Sequence, residues 1–212
     1  MINVIQPMMR PLAKAILCGV LLSSLSGCIG MVLGGAAAGA MATADRRTLG
    51  AQADDKSISV KVDLRLPNIT GKDVHINANS FNRRVLLTGE VKDEAMKAAV
   101  EREVRAINGV IMVINELAIA APATYTSRSN DALITTKVKA SLVDMRTISA
   151  TSFKVVTERG TVFLMGRVTQ REGQVGADVA RGVAGVVKVV KVFEYISEEE
   201  MRTLSPGSSV QL

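Results

Sequence analysis

Tryptophan is absent from this 212-residue chain, aromatics make up 3% of it, and histidine occurs once. Without stacking platforms a groove for single-stranded nucleic acid is hard to build, and a glycan-binding module is disfavoured for the same reason. A lone histidine, His75, in the alternating segment Val74–His75–Ile76 has neither a second histidine nor a usable thiol to complete a usual zinc set, so it reads as a structural or surface residue. Ser80, Ser141 and Ser149 have no general base at recognisable spacing, and Gly34 and Gly35 neither follow a strand nor precede a Lys-Ser/Thr pair, so no phosphate loop is expected. The expectation is a protein that is not an enzyme, with no metal and no nucleic-acid partner. A long apolar run is lacking too: Ala15–Leu22 is about half of the roughly 20 residues a spanning helix needs.

That short run is better read as the core of a secretory signal, with Arg10 and Lys14 as its basic flank and small residues after it. The competing reading, an uncleaved helix continuing through Gly34 to Ala42, is weakened by its Gly and Ala content. The ending Leu25-Ser26-Gly27-Cys28 resembles the lipobox of bacterial lipoproteins. The resemblance implies cleavage of residues 1–27, a diacylglycerol on the Cys28 thiol and an acyl chain on its new amino group. These covalent lipids are the only cofactor-like groups expected. Three chains exceed the two-signal threshold for stable anchoring, at about 0.8 kcal/mol per buried CH₂. With Ile29 after the cysteine rather than aspartate, the family's sorting rule implies the inner leaflet of the outer membrane, facing the periplasm. Cys18 leaves with the signal, so no disulfide is expected, and losing Arg10 and Lys14 lowers the net charge from +6 to +4. A mildly basic body favours anionic partners such as phospholipid headgroups.

The chain also repeats itself. Ile58, Val62 and Leu66 recur as Ile134, Val138 and Leu142, displaced by 76; Leu86–Val91 recurs as Phe163–Val168, displaced by 77; Gly109, Val110, Val113 and Leu117 recur as Gly185, Val186, Val189 and Phe193, displaced by 76. A one-residue change of register that later reverses is what small loop differences between two copies of one fold produce.

Within each copy the periodicity changes in a fixed order. A stripe at i, i+4 and i+8 marks a first helix, with Asp55 or Asp131 ahead of it as an N-cap or first-turn acid. Two alternating segments follow, Val74–Ala78 with Arg84–Thr88 and Phe153–Thr157 with Thr161–Met165, and read as hairpins. A second helix, Asp93–Ile107 or Gln170–Val183, stops at Asn108-Gly109 or Gly185, and a last strand spans Val110–Ile119 or Val186–Ile196. The fold class expected is α+β: two tandem helix-strand-strand-helix-strand units, each packing two helices on a three-stranded mixed sheet.

That order, with VLLTGEV or VFLMGRV after the hairpin turn and INGV or VAGV before the last strand, resembles the BON domain. RRTLGAQADD, SNDALITTKVKASL and FLMGRVTQRE further resemble the dual-BON outer-membrane lipoproteins. The organisation expected is a signal at 1–27, a lipidated flexible tether at 28–54, BON domains at 55–120 and 130–197, a linker at 121–129 and a disordered tail at 198–212. The resemblance implies that the second domain binds anionic phospholipid, and that the protein supports envelope integrity and is recruited to lipid-rich zones such as the division site. Relatives carry tryptophan where this chain has Leu133.

The residues point the same way. With Ile134, Val138 and Leu142 facing the core, Leu133, Thr136, Ala140 and Val143 turn outward, with Lys137 on one flank and Lys139 and Arg146 on the other. An apolar ridge bordered by cations suits a surface that dips into headgroups and pairs with phosphate. Copy one also turns Val60 and Leu64 outward, so the ridge has a competing reading as the interface between copies. The second function carried forward is a protein adaptor, docking on outer-membrane assembly machinery or on a regulator of peptidoglycan hydrolases.

Overall fold

The computed structural model describes residues 45–71 and 74–204; Cys28, the signal and most of the tether lie outside them. In the first copy α1 (Leu49–Arg65) runs into a short turn, α2 (Pro67–Thr70), followed by β1 (His75–Phe81), β2 (Arg84–Val91), α3 (Glu94–Arg105), β3 (Met112–Asn115) and β4 (Ala118–Ile119). The second copy has α4 (Tyr125–Asp144), a 3₁₀ turn at Ala150–Ser152, β5 (Lys154–Glu158), β6 (Thr161–Val168), α5 (Gln170–Arg181) and β7 (Lys188–Tyr195), and α6 (Glu198–Leu204) follows. Each hairpin is antiparallel, and the strand after the second helix returns parallel to the middle strand. The α+β class and the paired units hold.

Several local expectations change. The last strand of copy one breaks at Glu116-Leu117, and both pieces pair with β2, giving four strands where three were expected. Leu117 at the break turns into the core, buried in the same cluster as Val91 and Val100. Thr48 and Thr124 are the caps of the first helices, accepting from Ala51 N and Ser127 N, so α1 begins in the supposed tether and α4 in the supposed linker. Residues 198–204 are helical, where a disordered tail was expected. The tether is docked from residue 45 onward: buried Arg46 makes two hydrogen bonds of 2.7 Å to Glu172, and Arg47 bonds Asp45 and Asp55 with its guanidinium 4.3 Å over the Phe81 ring.

Asp55 and Asp131 are therefore not caps. Each is buried on the inward face of its helix, where it receives the backbone amides of a two-residue hairpin turn. Asp55 accepts from Asn82 N and Arg83 N at 2.7 and 2.8 Å, and Asp131 accepts from Arg159 N and Gly160 N at 2.9 and 2.8 Å. All four turn residues have positive φ, as the type I′ hairpin requires. The repeated glycine of the VLLTGEV and VFLMGRV segments has a steric cause. A Cβ would lie 2.1 Å from the His75 carbonyl oxygen at Gly89 and 2.2 Å from that of Ser152 at Gly166.

Each middle strand separates two apolar layers. Val85, Leu87 and Val91 face α1 and α3 in one core, and Val162, Leu164 and Val168 face α4 and α5 in another. The opposite faces meet: Phe81 and Leu86 of copy one pack with Phe163 and Met165 of copy two, with Ile114, Val156, Val190 and Val192 around them. The order is helices, sheet, sheet, helices. Polar side chains rim the contact, among them Asn82 donating to Glu194 at 2.6 Å and Lys154 to the Ser80 carbonyl at 3.1 Å. Burial, then the Arg47 charge, lowers the Lys154 pKa from the usual lysine value.

Candidate functional site

Because the two copies meet through their sheets, both helical layers stay on the outside. The competing reading of the ridge as an interface between copies is overturned on this geometry. Ile134, Val138 and Leu142 hold α4 to its core, the Asp131 clamp fixes the helix against the β5–β6 turn, and the opposite face packs against none of the described residues' cores.

On that face Leu133 is 60% exposed and Val143 is 68% exposed, with exposed Thr136 and Ala140 between them. Lys137 and Lys139 flank the line, and Arg146 follows just beyond the C-cap Met145. All three cations are exposed, and none makes a hydrogen bond or ion pair with the described residues. Below Lys139 lies an apolar notch of about 180 Å³ lined by Leu142, Val143, Ala150, Thr151 and Phe153. The six residues singled out in the sequence thus occupy one exposed strip, save that Asp144 adds an acid near its end.

One residue of that strip escaped the sequence reading. Tyr125 opens α4 and is 84% exposed, two helical turns ahead of Leu133 and on the outward side. The Arg128 guanidinium lies 5.1 Å over its ring while donating to the Ala123 carbonyl at 3.0 Å, which steadies the aromatic at the helix start. Its signal was present in the eight-residue spacing to Leu133, but Pro122 and the surrounding Ser/Thr made the segment read as linker.

A second grouping was not legible at all. Among the described residues, His75, Glu90 and Glu158 bring their ligand atoms within 4.8 Å of one another. His75 and Glu90 come from the first sheet and Glu158 from the second. No sequence spacing joins them, since only the docking of the two sheets does. Glu172, near the helix–strand junction of copy two, is the other buried acid of note. Burial opposes its charge, but the hydrogen bonds from Arg46 and from the Thr169 amide prevail and lower its pKa from the usual glutamate value.

No helix among the described residues is long and apolar enough to cross a membrane. The BON domain family matches residues 51–121 and 130–197. The chain is 38% identical to the outer membrane lipoprotein DolP of Haemophilus influenzae over 195 residues, covering 89% of this chain and 98% of that one. It is 32% identical to a 21 kDa hemolysin of Actinobacillus pleuropneumoniae, over 72% of this chain and 79% of that protein. The solved structure of CdsD, a structural protein of the type III secretion system of Chlamydia trachomatis, aligns with 70% of this chain and 97% of that one at 12% identity, with a TM-score of 0.29.

Proposed function

This chain belongs to the BON domain family, and from that premise we propose that it is an outer-membrane lipoprotein, anchored through Cys28, whose second BON domain holds anionic phospholipid against the outward face of α4. The observation that carries the reading is the exposed line Tyr125, Leu133, Ala140, Val143 with Lys137, Lys139 and Arg146 beside it, unpaired among the described residues. Apolar side chains enter the headgroup layer, and the three cations pair with lipid phosphate. At about 1 kcal/mol per cation the contact is weak and salt-sensitive. Weak is sufficient, because the lipid on Cys28 keeps the domain at high effective concentration beside the leaflet. The role that follows is support of envelope integrity, with enrichment where anionic lipid gathers, the division site included.

The test is binding of residues 29–212, which include both cores, to vesicles of phosphatidylcholine with and without phosphatidylglycerol. Binding should need the anionic lipid, fall with salt, and be lost in both Leu133→Glu and Lys137→Glu. Binding that ignores lipid charge, or that survives both substitutions, overturns the lipid reading and favours an adaptor for assembly machinery or hydrolase regulators.

A further inference from the structure

The contact between the two domains closes over a polar cluster that its hydrogen bonds leave incomplete. Glu90 has a side chain that is 0% exposed, and that of Glu158 is 8% exposed. The Ala123 amide donates to Glu90 Oε2 at 3.0 Å, but Glu90 Oε1 is buried with no hydrogen bond, and so is His75 Nδ1. His75 Nδ1 stands 3.4 Å from Glu90 Oε2, the oxygen that also accepts the Ala123 amide, and 3.9 Å from Glu158 Oε1. The nearby positive charges are peripheral: half-exposed Arg159 lies 3.7 Å from Glu90 Oε1, and Arg128 lines the cavity shared by His75 and Glu158 with its guanidinium turned to the Ala123 carbonyl and the Tyr125 ring. Neither guanidinium is buried with the two carboxylates, and neither hydrogen-bonds Glu90 Oε1, so the buried acids lack a buried cationic partner among the described residues.

We propose that His75, Glu90 and Glu158 bind a divalent transition-metal ion of the Zn²⁺ type, which clasps the first BON domain to the second. The donor set supplies one imidazole nitrogen and two carboxylate oxygens, a mixture that suits Zn²⁺ better than the all-oxygen cations Mg²⁺ or Ca²⁺. Ligands about 2.0–2.1 Å from a tetrahedral ion stand roughly 3.3–3.4 Å from one another. The His75–Glu90 separation already has that length, His75 to Glu158 is 3.9 Å, and all three ligand atoms lie within 4.8 Å of one another, so the Glu158 carboxylate must move inward for the ion to be held. A water would complete the coordination, and the cavity of about 190 Å³ lined by His75, Asn77, Arg128, Asp131, Thr135 and Glu158 gives it room and the ion an entry. Asn77 donates to Glu158 Oε2 at 3.0 Å and orients that carboxylate from behind. Its 3.4 Å contact with His75 Nε2 is given up, because a metal on Nδ1 leaves the ring proton on Nε2. The ligands come from both sheets, so binding favours the docked pair over the separated domains.

The experiment uses the full lipidated chain in detergent, without a polyhistidine tag and stripped with EDTA. ZnCl₂ is titrated calorimetrically with MgCl₂ as control, and Co²⁺ is added to read coordination geometry from its visible absorption. We expect one saturable Zn²⁺ per chain, the intense bands of four-coordinate Co²⁺, and a rise in Tm of roughly 5–10 °C at a hundredfold excess over Kd. His75→Ala and Glu158→Gln should each lower the affinity at least about tenfold and cut the Tm response at the same zinc concentration by about half or more. Glu158→Gln keeps the side-chain shape, so it decides the matter by itself if His75→Ala does not fold. Absence of saturable binding, or zinc affinity unchanged in the folded variants, overturns the proposal.

Discussion

The helices α1 and α4 occupy equivalent places in two copies of one fold, and their outward faces differ in a way their inward faces do not. Inside, Ile58, Val62 and Leu66 match Ile134, Val138 and Leu142, and all six are buried. Outside, Leu49, Val60 and Leu64 of α1 are as exposed as Tyr125, Leu133 and Val143 of α4, so exposed apolar area alone does not separate the copies. Charge and chemistry at the flanks do. Asp63 stands in copy one where Lys139 stands in copy two, and Leu49 stands where Tyr125 does. Packing fixes one side of each helix and leaves the other free to vary, so the difference between the copies is concentrated where a binding surface can be altered without cost to the core.

The largest effect should come from the clamps on the inner side. Asp55 receives four donors, from Ser80, Asn82, Arg83 and Arg47, whereas Asp131 receives two backbone amides. Orphaning more donors costs more, so Asp55→Ala should destabilise by about 4 kcal/mol and Asp131→Ala by about 2 kcal/mol. Denaturant unfolding of both variants measures this, and equal losses would show that the Ser80 and Arg47 bonds add nothing to the first copy.

Next in size is the flank charge. Lys139→Asp gives copy two the residue of copy one and should weaken binding to anionic vesicles about thirtyfold, the effect of reversing one charge at roughly 1 kcal/mol per unit. Asp63→Lys asks the reverse. If it creates no new affinity, the sign of the flank is necessary but the aromatic and the notch near Phe153 are needed as well.

A smaller difference is acid sensitivity. Glu172 caps α5 and holds Arg46, while the position displaced by 76 in copy one is Met96. Since the folded-state pKa of Glu172 lies below its unfolded value, its contribution is present above the ordinary glutamate value of 4.5 and is lost as pH falls through the lowered one. Amide exchange at decreasing pH should therefore open the start of α5 and the segment at 45–47 before α3. In Glu172→Gln that pH dependence should vanish; its persistence would place the acid-labile group elsewhere.

What could be read in advance follows from how local each signal is. Period-4 stripes, the alternating hairpin segments and the glycines at Gly89 and Gly166 are short-range, and they located both domains and the outward residues of α4. Asp55 and Asp131 were misread because a carboxylate ahead of a stripe has the pattern of a cap, while its partners are hairpin amides 27 to 29 residues away. The sheet-to-sheet contact was invisible for a related reason. Leu86 and Phe163 alternate with core residues in strands apolar on both faces, and such strands do not say what covers the second face.

The aromatic gives the finest discrimination between the copies. From Tyr125 to Val143 the outward line runs about 27 Å along α4 at roughly 1.5 Å per residue, long enough for the helix to lie along the leaflet with the tyrosine at one end and the notch at the other. A tyrosine places its ring in the headgroup layer and its hydroxyl in water, a division that neither Leu49 nor Leu133 can make. Tyr125→Ala should reduce affinity for anionic vesicles about fivefold, equivalent to roughly 1 kcal/mol of lost interfacial burial. Leu49→Ala should leave it unchanged, and Leu133→Trp should raise it. Equal losses from Tyr125→Ala and Leu49→Ala would mean that both helical layers touch lipid. The sheets hold those layers on opposite sides of the molecule, so one leaflet could not serve both, and the contact would have to bridge two membrane surfaces.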